Sequence, residues 1–523
     1  MGPDFKATPN IAIVGSGPTG LYTLHHLLKV DRPLMVTLFE AGPLAGGGLP
    51  YDPERATVSM LANIASIEIP DLGETYLDWL QRQPEAILRV YGVDPDSLHE
   101  RQFLPRLLLG AWFRDSLERM VEDGRARGHQ VAVRESCRVT DVAPVGEDLR
   151  VSFGEGESLL FSHVVLATGH DWPDDPDAQA QVFVSPWSGL IEAEIPAARV
   201  GVMGTSLSGI DAAMAVACQH GGFDAGETRF QLSPGSEGLK ITLMSRQGLL
   251  PEADFWCPLP YQPLRHFTEA ALEREAAQGA EGLLDRLWGL FVREMVAADP
   301  GYAEATGIAH LSPEGFSDAY FAPRLKVDPF RWAEANLVEV DRNAAARRTV
   351  GWRYAILRMH EPMETMVPQF DDKDRARFDA LKRVFVDNYA AGPPQSIRRL
   401  LALHRAGVLE VLRLGDDYEM SHEGDVTRVR TGDGVAVAFD TFIDARGQTA
   451  LGAADLPFPT LRQALPGEGP VRMDAAFAVD VVGGGRLFLP AAPFLLHRMP
   501  FAQGITASHD MAETVAEALL GAG

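Results

Sequence analysis

Residues 10–40 read NIAIVGSGPTGLYTLHHLLKVDRPLMVTLFE, and this stretch decides the fold. Ile11-Ala12-Ile13-Val14 is a short apolar strand, Gly15 to Gly20 a turn, and Leu21 to Val30 a helix. A second strand, Leu34 to Phe39, ends on Glu40. Together they make a βαβ unit of the expected length. In G-x-G-x-x-G the first glycine permits a tight turn, the second lets backbone approach a pyrophosphate, and the third lets the helix pack on its strand. Gly15, Gly17 and Gly20 fill these places, with Pro18 and Thr19 between the last two. A phosphate would meet the unpaired N–H groups and the positive dipole end of the helix. Glu40 is suited to accept hydrogen bonds from an adenosine ribose, and its charge disfavours a ribose 2′-phosphate. The ligand expected here is FAD or NAD, and these residues do not choose between them.

A second unit of this kind opens at Arg199. The strand Val200 to Met203 leads into Gly204-Thr205-Ser206-Leu207-Ser208-Gly209, and a helix runs to about His220. Serine stands where the second glycine is usual, which narrows the approach to a phosphate but adds a hydroxyl that can bind it. The next strand, Lys240 to Met244, ends on Ser245-Arg246 rather than on an acid. An arginine there pairs with a 2′-phosphate and stacks beside adenine, so NADPH is expected at this second site.

Between the two units, a loop carrying Gly46 to Gly48 leads to Tyr51 and Asn63. Helical stretches are expected at Glu74–Gln81 and Leu104–Asp123. Alternating residues between Val131 and Leu160 point to a small sheet. The apolar strand Val164 to Ala167 enters Thr168-Gly169-His170. Residues 252 to about 400 carry mostly helical periodicity, as in Glu269–Ala277 and Ala376–Tyr389. Strands are expected at Glu410–Arg413, Val435–Phe439 and Thr441–Ala445, and a closing helix at Ala507–Leu520.

The chain has 523 residues, 46% hydrophobic and 23% charged, with a net charge of −25. That balance fits an ordered protein of two to three domains. It disfavours attraction to nucleic acid or to anionic membranes. Cys137, Cys218 and Cys257 lie far apart with no CxxC pair, which argues against a disulfide framework, a zinc site or a dithiol centre. No signal-peptide layout opens the chain, and no run of about 18 apolar residues suits a membrane span. A cytoplasmic protein is expected.

Three stretches resemble the flavoproteins with two dinucleotide-binding domains, the group that includes the N-hydroxylating and other class B flavin monooxygenases. They are IAIVGSGPTG with Glu40, the linker VVLATGHDWPDDP, and VGVMGTSLSGID followed by SRQG. GGGLPYDPERATVSMLANIAS, SPW at Ser185–Trp187, SRQGLLP and RGQTAL are similar to a bacterial branch of FAD/NAD(P)-binding proteins. The resemblance implies an α/β fold of two Rossmann-like domains, with the NADPH domain inserted into the FAD domain and a largely helical insertion after it. The expected divisions are 1–195 for the first part of the FAD domain and 196–251 for the NADPH core. Residues 252–400 are the helical substrate region, and 401–523 the return to the FAD domain.

Carried over by residue, the resemblance implies FAD pyrophosphate at Gly15–Gly20 and its ribose at Glu40. Arg106 would lie near the FAD phosphate or flavin edge and Val139 beside the adenine, with Tyr51 also among the cofactor-binding residues. Asn63 would approach the flavin or nicotinamide. Thr168 and Gly169 would mark the passage between domains, and NADPH would meet Thr205 to Gly209. Gly447 and Gln503-Gly504-Ile505 would close the flavin pocket.

The chemistry implied is an FAD- and NADPH-dependent monooxygenase that uses a flavin C4a-(hydro)peroxide and dioxygen on a small polar metabolite, with N-hydroxylation of an amino acid or amine foremost. The F-x-G-x-x-x-H-x-x-x-W pattern of Baeyer–Villiger enzymes is absent, and Ser162 stands where N-hydroxylating enzymes often have aspartate. Two alternatives stay open: a flavin dehydrogenase or NADPH oxidase that inserts no oxygen, and a flavin-binding sensor or scaffold. Self-association also stays open. Asn63 and His170 are the candidate catalytic groups. His360, His497 and His509 are expected in structural roles, as are Trp256 and Tyr261. Arg265, Arg353 and Arg358 are expected as surface charge, and residues 371–375 as a helix start rather than a metal site.

Overall fold

The computed structural model describes residues 8–170, 181–424, 426–482 and 485–521, and the chain divides into two compact units. The first gathers residues 1–58, 64–172 and 448–523. Its main sheet holds β1 (Asn10–Val14), β2 (Met35–Phe39), β3 (Gln130–Arg134) and β7 (His163–Leu166), with β18 (Ala478–Val479) and β19 (Arg486–Phe488) from far along the chain. The order is β18-β19-β7-β1-β2-β3, and every pairing except the β18 edge is parallel. β1 is buried almost throughout, as a central strand covered on both faces must be. A separate antiparallel sheet comprises β4 (Val139–Val145), β5 (Asp148–Phe153) and β6 (Glu157–Phe161). One core joins the two sheets, with Phe39, Phe153 and Phe161 in edge and tilted ring contact.

The helices of this unit flank its two sheets. α1 (Pro18–Leu27) starts with Pro18 in its first turn, where a missing N–H costs nothing. α2 (Tyr76–Gln81) is capped by the Thr75 hydroxyl, and α4 (Arg106–Ala126) follows the short α3 (Glu85–Val90). α16 (Ile505–Gly521) lies along α1, while α14 (Pro459–Ala464) packs on β4 and α15 (Ala492–Leu495) precedes the closing turn.

The second unit gathers residues 59–63 and 173–447. Its sheet is wholly parallel, in the order β13-β12-β9-β17-β8. The strands are β8 (Val182–Phe183), β9 (Arg199–Met203), β12 (Lys240–Ser245), β13 (Leu409–Arg413) and β17 (Thr441–Asp444). α5 (Leu207–His220) follows β9, and a hairpin of β10 (Gly221–Phe223) and β11 (Phe230–Leu232) follows α5. The insertion is helical as expected: α6 (Glu269–Ala276), α7 (Leu283–Ala298), α8 (Pro300–Thr306), α9 (Pro313–Leu325), α10 (Pro329–Ala345), α11 (Gly351–Met366), α12 (Asp372–Tyr389) and α13 (Pro394–Arg405). A three-stranded meander of β14 (Glu419–Glu423), β15 (Val426–Arg430) and β16 (Ala436–Phe439) precedes β17.

Three expectations are corrected. Val131 and Val133 belong to β3, which pairs with β2 in the main sheet and not with the small one. The chain returns to the first unit at Gln448 and not at 401, because β13 and β17 complete the second sheet on either side of β12 and β9. The second unit also begins before 196, since β8 pairs with β17.

Candidate functional site

In the first unit the Gly15–Gly20 turn sits at the C-terminal end of β1, between β2 on one side and β7 on the other. That reversal of strand order is where open α/β sheets bind ligands. Gly15 has φ +103°, and a Cβ on it would lie 2.3 Å from the Ala167 carbonyl oxygen. A Cβ on Gly20 would lie 2.0 Å from the Gly15 carbonyl oxygen, so neither position admits a side chain. Gly17 comes against the Cα of Gly48 and is the N-cap of α1. No side chain caps α1 and no acid occupies its first turn, which holds Pro18, Thr19 and Gly20. The turn and helix start therefore fit the pyrophosphate of a dinucleotide: bare backbone, open N–H donors and a dipole of the right sign.

Glu40 follows β2. Its Oε1 accepts from Gly42 N at 2.7 Å, and its Oε2 accepts from the Ser16 hydroxyl at 2.5 Å and from Ser16 N at 3.3 Å. Ser16 Oγ accepts in turn from Gly46 N at 2.9 Å. The carboxylate thus ties the glycine loop at 42–48 to the phosphate turn, with lone pairs left for ribose hydroxyls. Val139 opens β4 and packs against the core that holds Phe39. Tyr51 follows the glycine loop, and Gly110 on α4 comes so close that a Cβ there would meet the Tyr51 carbonyl at 2.5 Å. Burial pushes the Tyr51 phenol up, and Arg106, first residue of α4, opposes the shift.

Thr168 and Gly169 are exposed just beyond β7, with Gly169 at φ +70°. His170 follows, and burial pushes its imidazole down. The rest of the expected linker, Asp171 to Pro176, lies outside the described residues. Gln503 and Gly504, the latter at φ +101°, are exposed ahead of Ile505, which starts α16.

The second unit repeats the device on β9. Gly204 has φ +135° and comes within 2.8 Å, measured from a built Cβ, of the Ala445 carbonyl; Gly209 comes within 2.3 Å of the Gly204 carbonyl. Ser206 is the N-cap of α5, exposed, and makes no side-chain cap bond. Thr205 Oγ1 donates to Ser245 Oγ at 3.2 Å, and Gly248 N donates to the same hydroxyl at 3.0 Å. Ser245 thereby laces the ends of β9 and β12 together. Arg246 is exposed at the end of β12, and its guanidinium pairs with no carboxylate among the described residues. Asn63 is exposed on the segment 59–63, and Gly447 is exposed after Arg446, whose guanidinium grips Asp444 at 2.5 and 2.9 Å. Asn63 and Gly447 therefore belong to the second unit, and Gly15–Gly20 to the first.

Arg353, expected as surface charge, is buried instead. It lies 3.5 Å from the buried Glu252, donates to the Ala253 carbonyl at 3.1 Å, and lies 4.3 Å from the Phe255 ring centre. Trp332 Nε1 donates to Glu252 at 2.9 Å. Burial pushes the Glu252 carboxyl up, but Arg353 and Arg324 outweigh it and hold the group below its ordinary range. Arg265 is exposed, as expected, while Arg358 stacks over Tyr261 at 4.5 Å. His509 packs its ring against Tyr22 and His26, and His360 lies parallel to Tyr389. Asp371 caps α12 by accepting from Asp374 N at 2.7 Å, a helix start as expected.

The comparisons fit this geometry. Residues 12–171 match the FAD-NAD(P)-binding family, and residues 268–389 match the YdhS-like middle domain. The solved ornithine N-hydroxylase of Kutzneria sp. 744, with reduced FAD, NADP⁺ and L-ornithine, superposes with a TM-score of 0.51 at 13% identity, over 99% of this chain and 100% of that one. The fold is that of the flavoproteins with two dinucleotide-binding domains. The uncharacterized protein YdhS of Escherichia coli strain K12 is 48% identical over 519 residues, 98% of this chain and 97% of its own. The chain belongs to the YdhS family. Among the described residues, no helix is long and apolar enough to cross a membrane.

Proposed function

We propose that this protein is an FAD-dependent oxidoreductase reduced by NADPH, and that it oxygenates a small polar metabolite, foremost at nitrogen. The observation that carries the reading is the pair of glycine cradles with different strand ends. In the first unit β2 leads to Glu40, which suits a bare ribose, and in the second β12 leads to an exposed Arg246, which suits a 2′-phosphate. FAD, when bound, supplies the redox chemistry, taking a hydride from NADPH and passing electrons to dioxygen.

The chain's own residues bind and orient. Gly15, Gly17 and the open start of α1 receive the FAD pyrophosphate, and Glu40 the ribose. Gly204 to Gly209 and the start of α5 receive the NADPH phosphates. Tyr51, Arg106 and Val139 line the FAD side, Thr168 and Gly169 the passage beyond β7, and Gln503 to Ile505 the closing turn. The carboxamide of Asn63 offers both donor and acceptor to a flavin or nicotinamide edge. His170, whose imidazole burial pushes down, is the second candidate catalytic group.

Anaerobic mixing with NADPH, followed by aerobic turnover with a panel of amines and amino acids, tests the reading. Bleaching of the flavin by NADPH is expected, with substrate-dependent oxygen uptake that is not recovered as hydrogen peroxide. A flavin that NADPH leaves oxidised overturns the whole reading. Full recovery of the oxygen as peroxide with every substrate assigns the protein to the oxidases instead.

A further inference from the structure

The segment Ser59–Asn63 is flanked on both sides by residues of the first unit yet packs within the second. A buried guanidinium anchors its start. Arg399, midway along α13, donates from Nη1 to the Ser59 carbonyl at 2.7 Å and from Nη2 to Glu227 Oε1 at 2.6 Å. The two side chains are 10% and 21% exposed, and the guanidinium lies 5.9 Å from the Phe223 ring centre. On α5, the Cys218 sulfur also accepts a hydrogen bond from the Ser59 hydroxyl. Beyond Ser59 the chain buries Met60, Leu61 and Ala62 before exposing Asn63.

A second observation concerns Glu227. It stands at φ +54°, a left-handed conformation that a residue with a Cβ adopts at a cost. The turn is held by Asp224, whose carbonyl accepts from Glu227 N and whose Oδ1 accepts from Thr228 N. Glycine would relieve the backbone, but only a carboxylate meets Arg399. A lysine in place of Arg399 would present one point charge, where the planar fork reaches two acceptors at once.

We propose that Arg399 is a positioning residue: braced by Glu227, it fixes Ser59 and through it the presentation of the Asn63 carboxamide. The consequence for Asn63 rests on the function proposed above; the ordering of the segment does not.

Hydrogen exchange on the as-isolated protein, read alongside anaerobic flavin reduction, tests both parts. In Arg399→Ala, exchange in a peptide spanning 56–66 is expected to rise about tenfold, as in local opening, with β9 and β12 peptides unchanged. Flavin content is expected to hold while the rate of reduction by NADPH falls, and Arg399→Lys is expected to recover only part of both. If Arg399→Ala does not fold, Glu227→Gln keeps the guanidinium on Ser59 and is expected to show the same pattern at about a third of the size. Unchanged exchange at 56–66, or a rise shared by β9 and β12, overturns the proposal. Raised exchange with an unchanged reduction rate overturns the link to Asn63. A wild-type flavin that NADPH does not reduce defeats the proposed function and leaves the exchange comparison standing.

Discussion

At Gly20 a single methyl group is decisive, because its carbon would overlap the Gly15 carbonyl at 2.0 Å. Gly20→Ala is expected to abolish flavin retention, read as the ratio of visible to ultraviolet absorbance of the purified protein; full retention would show that the turn holds no pyrophosphate. Arg246 carries the complementary test. Arg246→Ala is expected to raise KM for NADPH by about tenfold or more while sparing NADH, since a charge-assisted pair to a phosphate is lost. An unchanged ratio removes the 2′-phosphate from the second unit. The Glu252–Arg353 pair sets stability. Arg353→Met takes from the buried Glu252 its strongest cationic partner and is expected to cost about 3–5 kcal/mol in urea unfolding. Adding Glu252→Gln should return much of that loss, and a double variant no better than the single would show that the pair is not coupled. Gly15, Gly20, Glu40 and Arg246 were legible as candidates because motif spacing and position at a strand end mark them. Ser16, Arg399 and the burial of Arg353 were not, since their partners lie 24, 340 and 100 residues away along the chain.

At the scale of elements, a helix start was legible where an aspartate announces it, as at Asp371, whereas α1 begins at Pro18 and not at the expected Leu21, because proline in a first turn gives up no needed N–H. Central parallel strands were legible as unbroken apolar runs. The β14–β15 hairpin was not: β14 reads EMSHE and is exposed along nearly its whole length, so no alternation betrays it. The pairing of α1 with α16 also escaped sequence reading, because it joins two distant helices through histidines. It gives the fold a sensitivity to acid. Burial and Lys29 push His25 and His26 down to about 4, and burial with Arg486 does the same to His163 on β7. These rings stay neutral in the folded chain while the unfolded chain protonates them below about pH 6.5. The unfolded state therefore binds more protons, and stability is lost as pH falls from about 6.5 towards 4. Thermal unfolding midpoints are expected to drop across that window, and less steeply in His26→Gln; identical profiles for the two proteins would sink the assignment.

For the whole molecule, the two units make separable claims on their nucleotides. A ligand at a hundred times its dissociation constant stabilises what binds it by about 2.7 kcal/mol. Added FAD is expected to slow hydrogen exchange in β1, β2 and β7, and added NADP⁺ in β9 and β12. Protection in the opposite pattern reverses the assignment of the two cradles. That two Rossmann-like units and a helical insertion exist was legible in the sequence; that β13 and β17 complete the second sheet was not, because parallel partners far apart in the chain leave no local signature. The same discontinuity governs how the protein is made. Residues 173–447 emerge from the ribosome as nearly all of one unit, but the first unit waits for β19 and α16, which are synthesised after it. The glycine turn of the first unit is thus translated ahead of the second unit and its sheet completed only behind it. Chains halted shortly after Gly447 are expected to leave an edge on β7 uncovered, making premature termination costlier here than in a protein whose domains follow one another in line.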